Sequence, residues 1–112
     1  MNHSLAFQKA YDAFRLATDL VPHFPKIDRY ALGLRIEDAA LDLVERVAEA
    51  ETTVPSLKDR VLIATIVKAD VCNILIRLAL ERKLISETNY FVLTESFQEV
   101  ARMANGWRKS LS

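Results

Sequence analysis

The twenty residues from Val61 to Leu80, VLIATIVKADVCNILIRLAL, constrain this chain more than any other segment. Fifteen are apolar; only Thr65, Lys68, Asp70, Asn73 and Arg77 interrupt them. No alternation of period two runs through the segment and neither glycine nor proline breaks it, so it reads as a helix. At about 100° per residue, Asp70, Asn73 and Arg77 form one polar stripe, and Thr65 with Lys68 forms another, roughly opposite. Two separate apolar faces lie between them. A surface helix ordinarily has one apolar face. Two imply a helix covered on both sides, once inside its own bundle and once by another copy. Ile63, Val67, Val71 and Ile74 are the residues expected at that oligomer interface. The run is long enough to span a bilayer. However, Lys68, Asp70 and Arg77 near its middle would each cost about 2.5–3.5 kcal/mol there, so a soluble helix is expected.

Three further helices follow from periodicity and breakers. The first is expected from about Ser4 to Val21, with Phe7, Tyr11, Phe14, Thr18 and Val21 as its apolar stripe; Pro22 and Pro25 end it. The second is expected from about Lys26 to Glu51, with Pro25 suiting its first turn and Ile27, Tyr30, Leu34, Leu41, Val44 and Ala48 inward. Gly33 inside it costs roughly 1 kcal/mol relative to Ala, which calls for a packing reason, such as a neighbouring aromatic passing close. The third helix, containing the long run, opens at Ser56, where Ser56 and Asp59 resemble a capping box. It closes near Lys83, with Arg82 and Lys83 complementing the helix dipole. Ser86 is a good N-cap for the fourth helix. In that helix Tyr90, Leu93, Phe97, Val100, Ala104, Trp107 and Leu111 repeat at alternating spacings of three and four, a coiled-coil-like seam. The short link before Ser86 implies antiparallel neighbours. The expected fold class is all-α: one domain over residues 1–112, an antiparallel up-down-up-down four-helix bundle of left-handed sense, assembling into a ring-like homo-oligomer.

The residues offer little catalytic chemistry. A di-iron bundle needs inward Glu and Glu-x-x-His pairs, but the two histidines, His3 and His23, lie near the terminus and in the proline-rich link. Gly33 and Gly106 stand alone, so no glycine-rich phosphate loop exists. Cys72 has no histidine beside it to act as base. As a single cysteine it forms no internal disulfide, which points to a reducing, cytoplasmic location. The opening residues lack the basic and apolar blocks of a signal peptide. No enzyme activity, metal or cofactor is expected.

Lysine plus arginine equals aspartate plus glutamate, 15 against 15. The balance conceals an uneven distribution. Glu37 to Glu51 holds six acids and one base, whereas Val100 to Ser112 holds Arg102, Arg108 and Lys109 and no acid. In an up-down bundle the first and third links share one pole, which would gather Lys26, Arg29, Arg82 and Lys83 into a basic rim, with Arg108 and Lys109 at the other pole. The Asp70/Asn73/Arg77 stripe admits two readings: a polar seam at a helix or subunit crossing, or an Arg77 guanidinium, with its rigid fork of donors, aimed at phosphate.

Three stretches taken together carry a family resemblance: FPKIDRYALGLRI (Phe24 to Ile36), IRLALERKLIS (Ile76 to Ser86) and EVARMANGWRKS (Glu99 to Ser110). In order, spacing and the terminal Gly-Trp, the chain resembles the accessory variability determinant (Avd) proteins of diversity-generating retroelements over about residues 5 to 111. That family is related to the four-helix-bundle proteins encoded in intervening sequences of bacterial 23S rRNA genes, but AALDLVERVAEAE in the second helix favours the Avd-like branch. The resemblance implies a non-enzymatic four-helix bundle assembled as a pentamer. Its partners would be a reverse transcriptase and template RNA or cDNA, and its role would be to support mutagenic retrohoming. It implies contact through Lys26, Arg29, Arg35, Arg77, Arg82, Lys83, Arg102, Arg108 and Lys109. The alternatives are an RNA-associated bundle like the intervening-sequence proteins, without a polymerase partner, and a purely self-assembling structural protein. The zero net charge departs from the basic character typical of Avd assemblies.

Overall fold

The computed structural model describes residues 3–111 and contains no strand among them. Four rods form the bundle. Helix α1 spans Leu5–Leu20. Helix α2 is one rod made of Lys26–Asp28, a π-helical turn over Arg29–Gly33, and Leu34–Thr52. Helix α3 spans Pro55–Glu81 and helix α4 Glu87–Lys109. Each rod packs against its chain neighbours and α4 closes back on α1. The bundle is 45 Å long and about 20 Å across.

The core is built from small residues. On α1 the buried face is Ala6, Ala10, Ala13 and Ala17, continued by Val21. The expected stripe is therefore displaced by one position: Phe7, Phe14 and Thr18 are half-buried at its flanks and Tyr11 is exposed. Helix α2 buries Leu32, Ile36, Ala39, Ala40, Leu43, Val44, Val47 and Ala50. Of the stripe expected there, only Val44 is buried; Ile27, Tyr30, Leu34 and Leu41 face outward. Alanine explains the difference on α1: interaxial distance depends on the side chains at the contact, and a methyl-lined face draws the neighbouring rods close and leaves the larger groups at its flanks. On α2 large residues do turn inward, but Leu32, Ile36, Leu43 and Val47 rather than those of the expected stripe.

Helix α3 buries Leu62, Thr65, Ala69, Cys72, Ile76 and Ala79, at spacings of three and four. Thr65 belongs to this core rather than to a polar stripe, because its hydroxyl donates to the Val61 carbonyl one turn back (2.9 Å) and is thereby satisfied. The helix opens one residue before the expected start, with Pro55 in its first turn, Val54 as N-cap and no side-chain cap. Asp59 instead pairs with Arg108 (2.8 Å), tying the start of α3 to the end of α4. Ser86 does cap α4, its hydroxyl accepting from the Asn89 N–H (3.1 Å). In α4, Leu93, Phe97, Val100 and Ala104 are buried, Trp107 is half-buried, and Leu111 is exposed.

Two tethers fix the ends. Ser4 caps α1 by accepting from the Phe7 N–H, and its own N–H donates to Glu51 Oε2 (2.6 Å). His3 reaches Glu51 Oε1 (2.8 Å) and stacks on Phe7. Burial alone would raise the Glu51 pKa, but the hydrogen bonds from Ser4 and His3 outweigh it and hold the carboxyl below its ordinary value. At the other end the chain turns through a 3₁₀ segment, Val21–His23, which presses Val21 against α2.

That contact explains Gly33. A Cβ there would stand 2.7 Å from Val21 Cγ1 and 3.3 Å from the Asp28 carbonyl oxygen, with the Phe24 ring next at 3.5 Å. A buried valine cannot swing away, since it is stiff at χ1. Gly33→Ala is therefore expected to destabilise by about 1–3 kcal/mol through overpacking, despite its better helix propensity. Gly106 has nothing within 4 Å of its would-be Cβ, so Gly106→Ala is expected to stabilise by up to about 1 kcal/mol. Thermal unfolding of both variants checks the pair: opposite signs are expected.

Candidate functional site

Three surface features remain once the core is accounted for. The first is an apolar ridge on α3. Ile63, Val67 and Ile74 are 42 %, 57 % and 59 % exposed, with Val71 half-buried beside them. They lie opposite the buried face of the same helix, so the long run does carry two apolar faces, and this structure covers one of them. Grooves flank the ridge. One, about 480 Å³, lies between α3 and α4 and is lined by Ile66, Val67, Asp70, Asn73, Gln98, Ala101 and Arg102. Asn73 Oδ1 is buried without a hydrogen-bond partner, as is Thr94 Oγ1 on α4. On the other side, Lys68 bonds Asp42 (3.0 Å), and Asp42 also meets Arg46, latching α3 to α2.

The second feature is a groove of about 630 Å³ near the α1–α2 and α3–α4 links. Tyr30, Leu32, Leu34, Leu75 and Leu78 line it, with Arg35 and Arg82 among its polar residues. Tyr30 is 61 % exposed and Ile27, one turn earlier, 82 %.

The third feature is the basic pole around that groove. The up-down order brings Lys26, Arg29 and Arg35 of α2 to the same end as Arg82 and Lys83, and Arg35 and Arg82 line one groove. Arg29 donates from Nη2 to the Phe24 carbonyl (3.3 Å), carries its guanidinium 5.9 Å from the Tyr30 ring centre, and buries Nε without a partner. The other expected contact residues are dispersed. Arg77 lies one turn before Glu81 and pairs with it (3.2 Å). Arg102 pairs with Glu99, and Arg108 with Asp59 at the opposite pole, near Lys109.

Lys83 has a backbone signature of its own. Its φ is +60°, the left-handed region that glycine usually fills. The Leu84 N–H donates to the Ala79 carbonyl and the Lys83 N–H to the Leu80 carbonyl, both at 2.9 Å. This is a Schellman closure of α3 with lysine at the glycine position. Left-handed backbone costs an L-residue roughly 1–2 kcal/mol. Such strain persists where the surroundings hold it, often at functional positions, and here it retains a cation on the basic pole. Sequence alone offered a cue to it in the abrupt helix end between Leu80 and Ser86, but not the sign of φ.

Among the described residues no group of three or more His, Cys, Asp or Glu could hold a metal ion. Cys72 is buried, and burial pushes its thiol up to about 12, with Asp42 adding to the shift and Lys68 opposing it. Its nucleophilic form is therefore scarce. Among the described residues no helix is long and apolar enough to cross a membrane.

A family model described as bAvd-like matches residues 4–111, nearly the whole chain. The chain belongs to the bAvd-like family. This agrees with the resemblance carried by the three sequence stretches, and it makes the bAvd-like protein an Avd-related accessory protein. Comparison with curated proteins and with solved structures gives no match.

The strained turn of this bAvd-like chain can be tested apart from its packing. Lys83→Gly is expected to raise stability by about 0.5–1 kcal/mol, the relieved strain less the added freedom of the unfolded chain. Lys83→Ala is expected to gain nothing, because alanine keeps the strain. Denaturant midpoints of the two variants check this.

Proposed function

We propose that this protein is a non-enzymatic, homo-oligomeric accessory subunit of a diversity-generating retroelement. In this reading it assembles as a pentameric ring, binds the reverse transcriptase, and engages template RNA or cDNA through its basic pole. The observation that supports it most is the bAvd-like match over residues 4–111 on a bundle that gathers Lys26, Arg29, Arg35, Arg82 and Lys83 at one end. Zero net charge does not oppose this reading, because the charge is unevenly placed: six of the fifteen acids lie between Glu37 and Glu51 on α2, while these five bases cluster at a pole. Copying the pole around a ring multiplies it, and phosphate affinity grows with the number of contacts. Arg102, Arg108 and Lys109 lie away from the pole, and Arg77, level with its groove, is held by Glu81; these four play a lesser part.

The apolar ridge supplies the assembly. Ile63, Val67, Val71 and Ile74 would be covered by a neighbouring copy, which accounts for aliphatic residues on the outward face of a helix whose inward face is already packed.

Two measurements test the reading. Ile74→Asp or Ile63→Asp is expected to leave the single chain folded, since both positions are solvent-exposed there, and to dissociate the oligomer, because a charge buried unpaired costs about 3–5 kcal/mol. Solution mass reports it; unchanged mass for both variants sinks the ridge as an interface. Binding of labelled single-stranded RNA, titrated across salt, is expected to weaken steeply. In Arg82→Glu with Lys83→Glu the slope of log affinity against log salt should shrink by about 0.7 for each phosphate that the protein no longer neutralises. Co-purification of the reverse transcriptase with the wild-type protein and not with this variant is the matching protein-level result. Equal retention of RNA and polymerase by the variant counts against the pole.

A further inference from the structure

The outer face of α4 carries a row directed away from the core, with Glu95 at the edge of a small groove that Lys9 of α1 also borders. Glu87, Phe91 and Glu95 follow one another at spacings of four, so they share one face of the helix. Phe91 is 64 % exposed, and its one aromatic neighbour is the adjacent Tyr90, edge-on at 5.6 Å. Neither glutamate makes an ion pair among the described residues. The row therefore presents an aromatic knob between two free carboxylates.

The groove at the basic pole is its complement. Tyr30, Leu34, Leu75 and Leu78 give it an apolar lining, and Arg35, Arg82 and Asp38 border it, a balance of one positive charge. These arginines also make no ion pair among the described residues. Knob and groove lie toward the same end of the bundle, one just after the α3–α4 link and the other just before it. They face different ways, because the groove opens between α2 and α3 whereas the knob stands on the outside of α4. One chain cannot join its own two halves.

We propose that the Glu87–Phe91–Glu95 row of one copy docks into the Tyr30–Leu34–Leu75–Leu78 groove of the next, with the two glutamates meeting Arg35 and Arg82. The proposal rests on the oligomeric reading above and names the two surfaces that join. A contact between unlike surfaces is heterologous; it closes into a ring when the rotation allows and otherwise runs on as a filament. A second copy fits better than a nucleic acid, because Leu34, Leu75 and Leu78 match an aromatic knob, the two arginines match its two carboxylates, and Asp38 in the same groove would repel phosphate. The pairing engages Arg35 and Arg82, so of the five bases at the pole Lys26, Arg29 and Lys83 are left for nucleic acid, and Arg82→Glu with Lys83→Glu reports on RNA only where its solution mass equals that of wild type.

The test is solution mass, by light scattering, of the full chain and three variants, with far-UV circular dichroism reporting helix content. Wild type is expected to be oligomeric. Phe91→Asp is expected to fall toward the 12.7 kDa of one chain with its helix content kept. Arg35→Glu with Arg82→Glu is expected to fall likewise, and adding Glu87→Arg and Glu95→Arg to that pair is expected to restore the oligomer by reversing both partners. An oligomeric wild type whose mass is unmoved by Phe91→Asp overturns the docking and leaves assembly through the α3 ridge standing. A helical fourfold variant that stays monomeric overturns the pairing of these charges. A monomeric wild type overturns the oligomeric reading itself.

Discussion

The bundle depends on how closely α1 lets its neighbours approach. Along its length α1 buries only alanines, Ala6, Ala10, Ala13 and Ala17, whereas on α2 Ala39 borders a groove with Val71 and Leu75 of α3, and Ala50 packs with Leu62 and Ala104. A methyl group holds two backbones apart by very little, so α1 makes its dispersion contacts largely through main chain and Cβ atoms. The same economy of volume recurs in Ala69 and Ala79 on α3 and Ala104 on α4. Gly33 extends it to its limit, where even a methyl would collide with Val21. Larger core residues, Leu43, Leu62, Ile76, Leu93 and Phe97, fill the centre where the four rods leave more room.

A core this slender cannot shelter every apolar side chain of a sequence that is 51 % hydrophobic. The excess goes outward, and it goes to particular places. Aliphatic residues line the outer face of α3, Tyr30 and Leu34 border the polar groove, and Phe91 stands on α4. Scattered surface leucines would need no explanation; an ordered ridge with a groove on each side does. Narrow core and apolar exterior are thus two results of one choice of residue size, and they connect the fold to the accessory role of the family.

The amino-acid sequence disclosed the number of helices, their direction and the double face of α3, because those features rest on breakers, links and periodicity. It also disclosed the cap at Ser86 and the centre of the α4 seam, where Leu93, Phe97, Val100 and Ala104 are the buried residues. It misled about α1 and α2. On α1 Tyr11 sits outside and alanine inside, so ranking positions by bulk selects the wrong face; on α2 large residues stand on both faces, Ile36 and Leu43 within and Ile27 and Tyr30 without, so bulk does not tell the faces apart. Thr65 misled similarly: a hydroxyl that bonds its own helix backbone is apolar in effect. At the basic pole, residue type and topology together placed Lys26, Arg29, Arg82 and Lys83, but the apolar groove between them was not legible. It requires Leu75 and Leu78 to stand beside Tyr30 and Leu34 across two helices. Nor could sequence show that Arg77, Arg102 and Arg108 each hold a carboxylate.

The tether of His3 and Ser4 to Glu51 lies at the end of the bundle away from Lys26 and Arg82. Copies related by cyclic symmetry and joined side by side all point the same way. Such an assembly has a front and a back: every basic cluster emerges on one rim and every amino-terminal tether on the other. Anything fused ahead of residue 3 would stand clear of the charged rim, and a polyanion held by one copy would find the remaining copies at high local concentration, their bases already turned toward it.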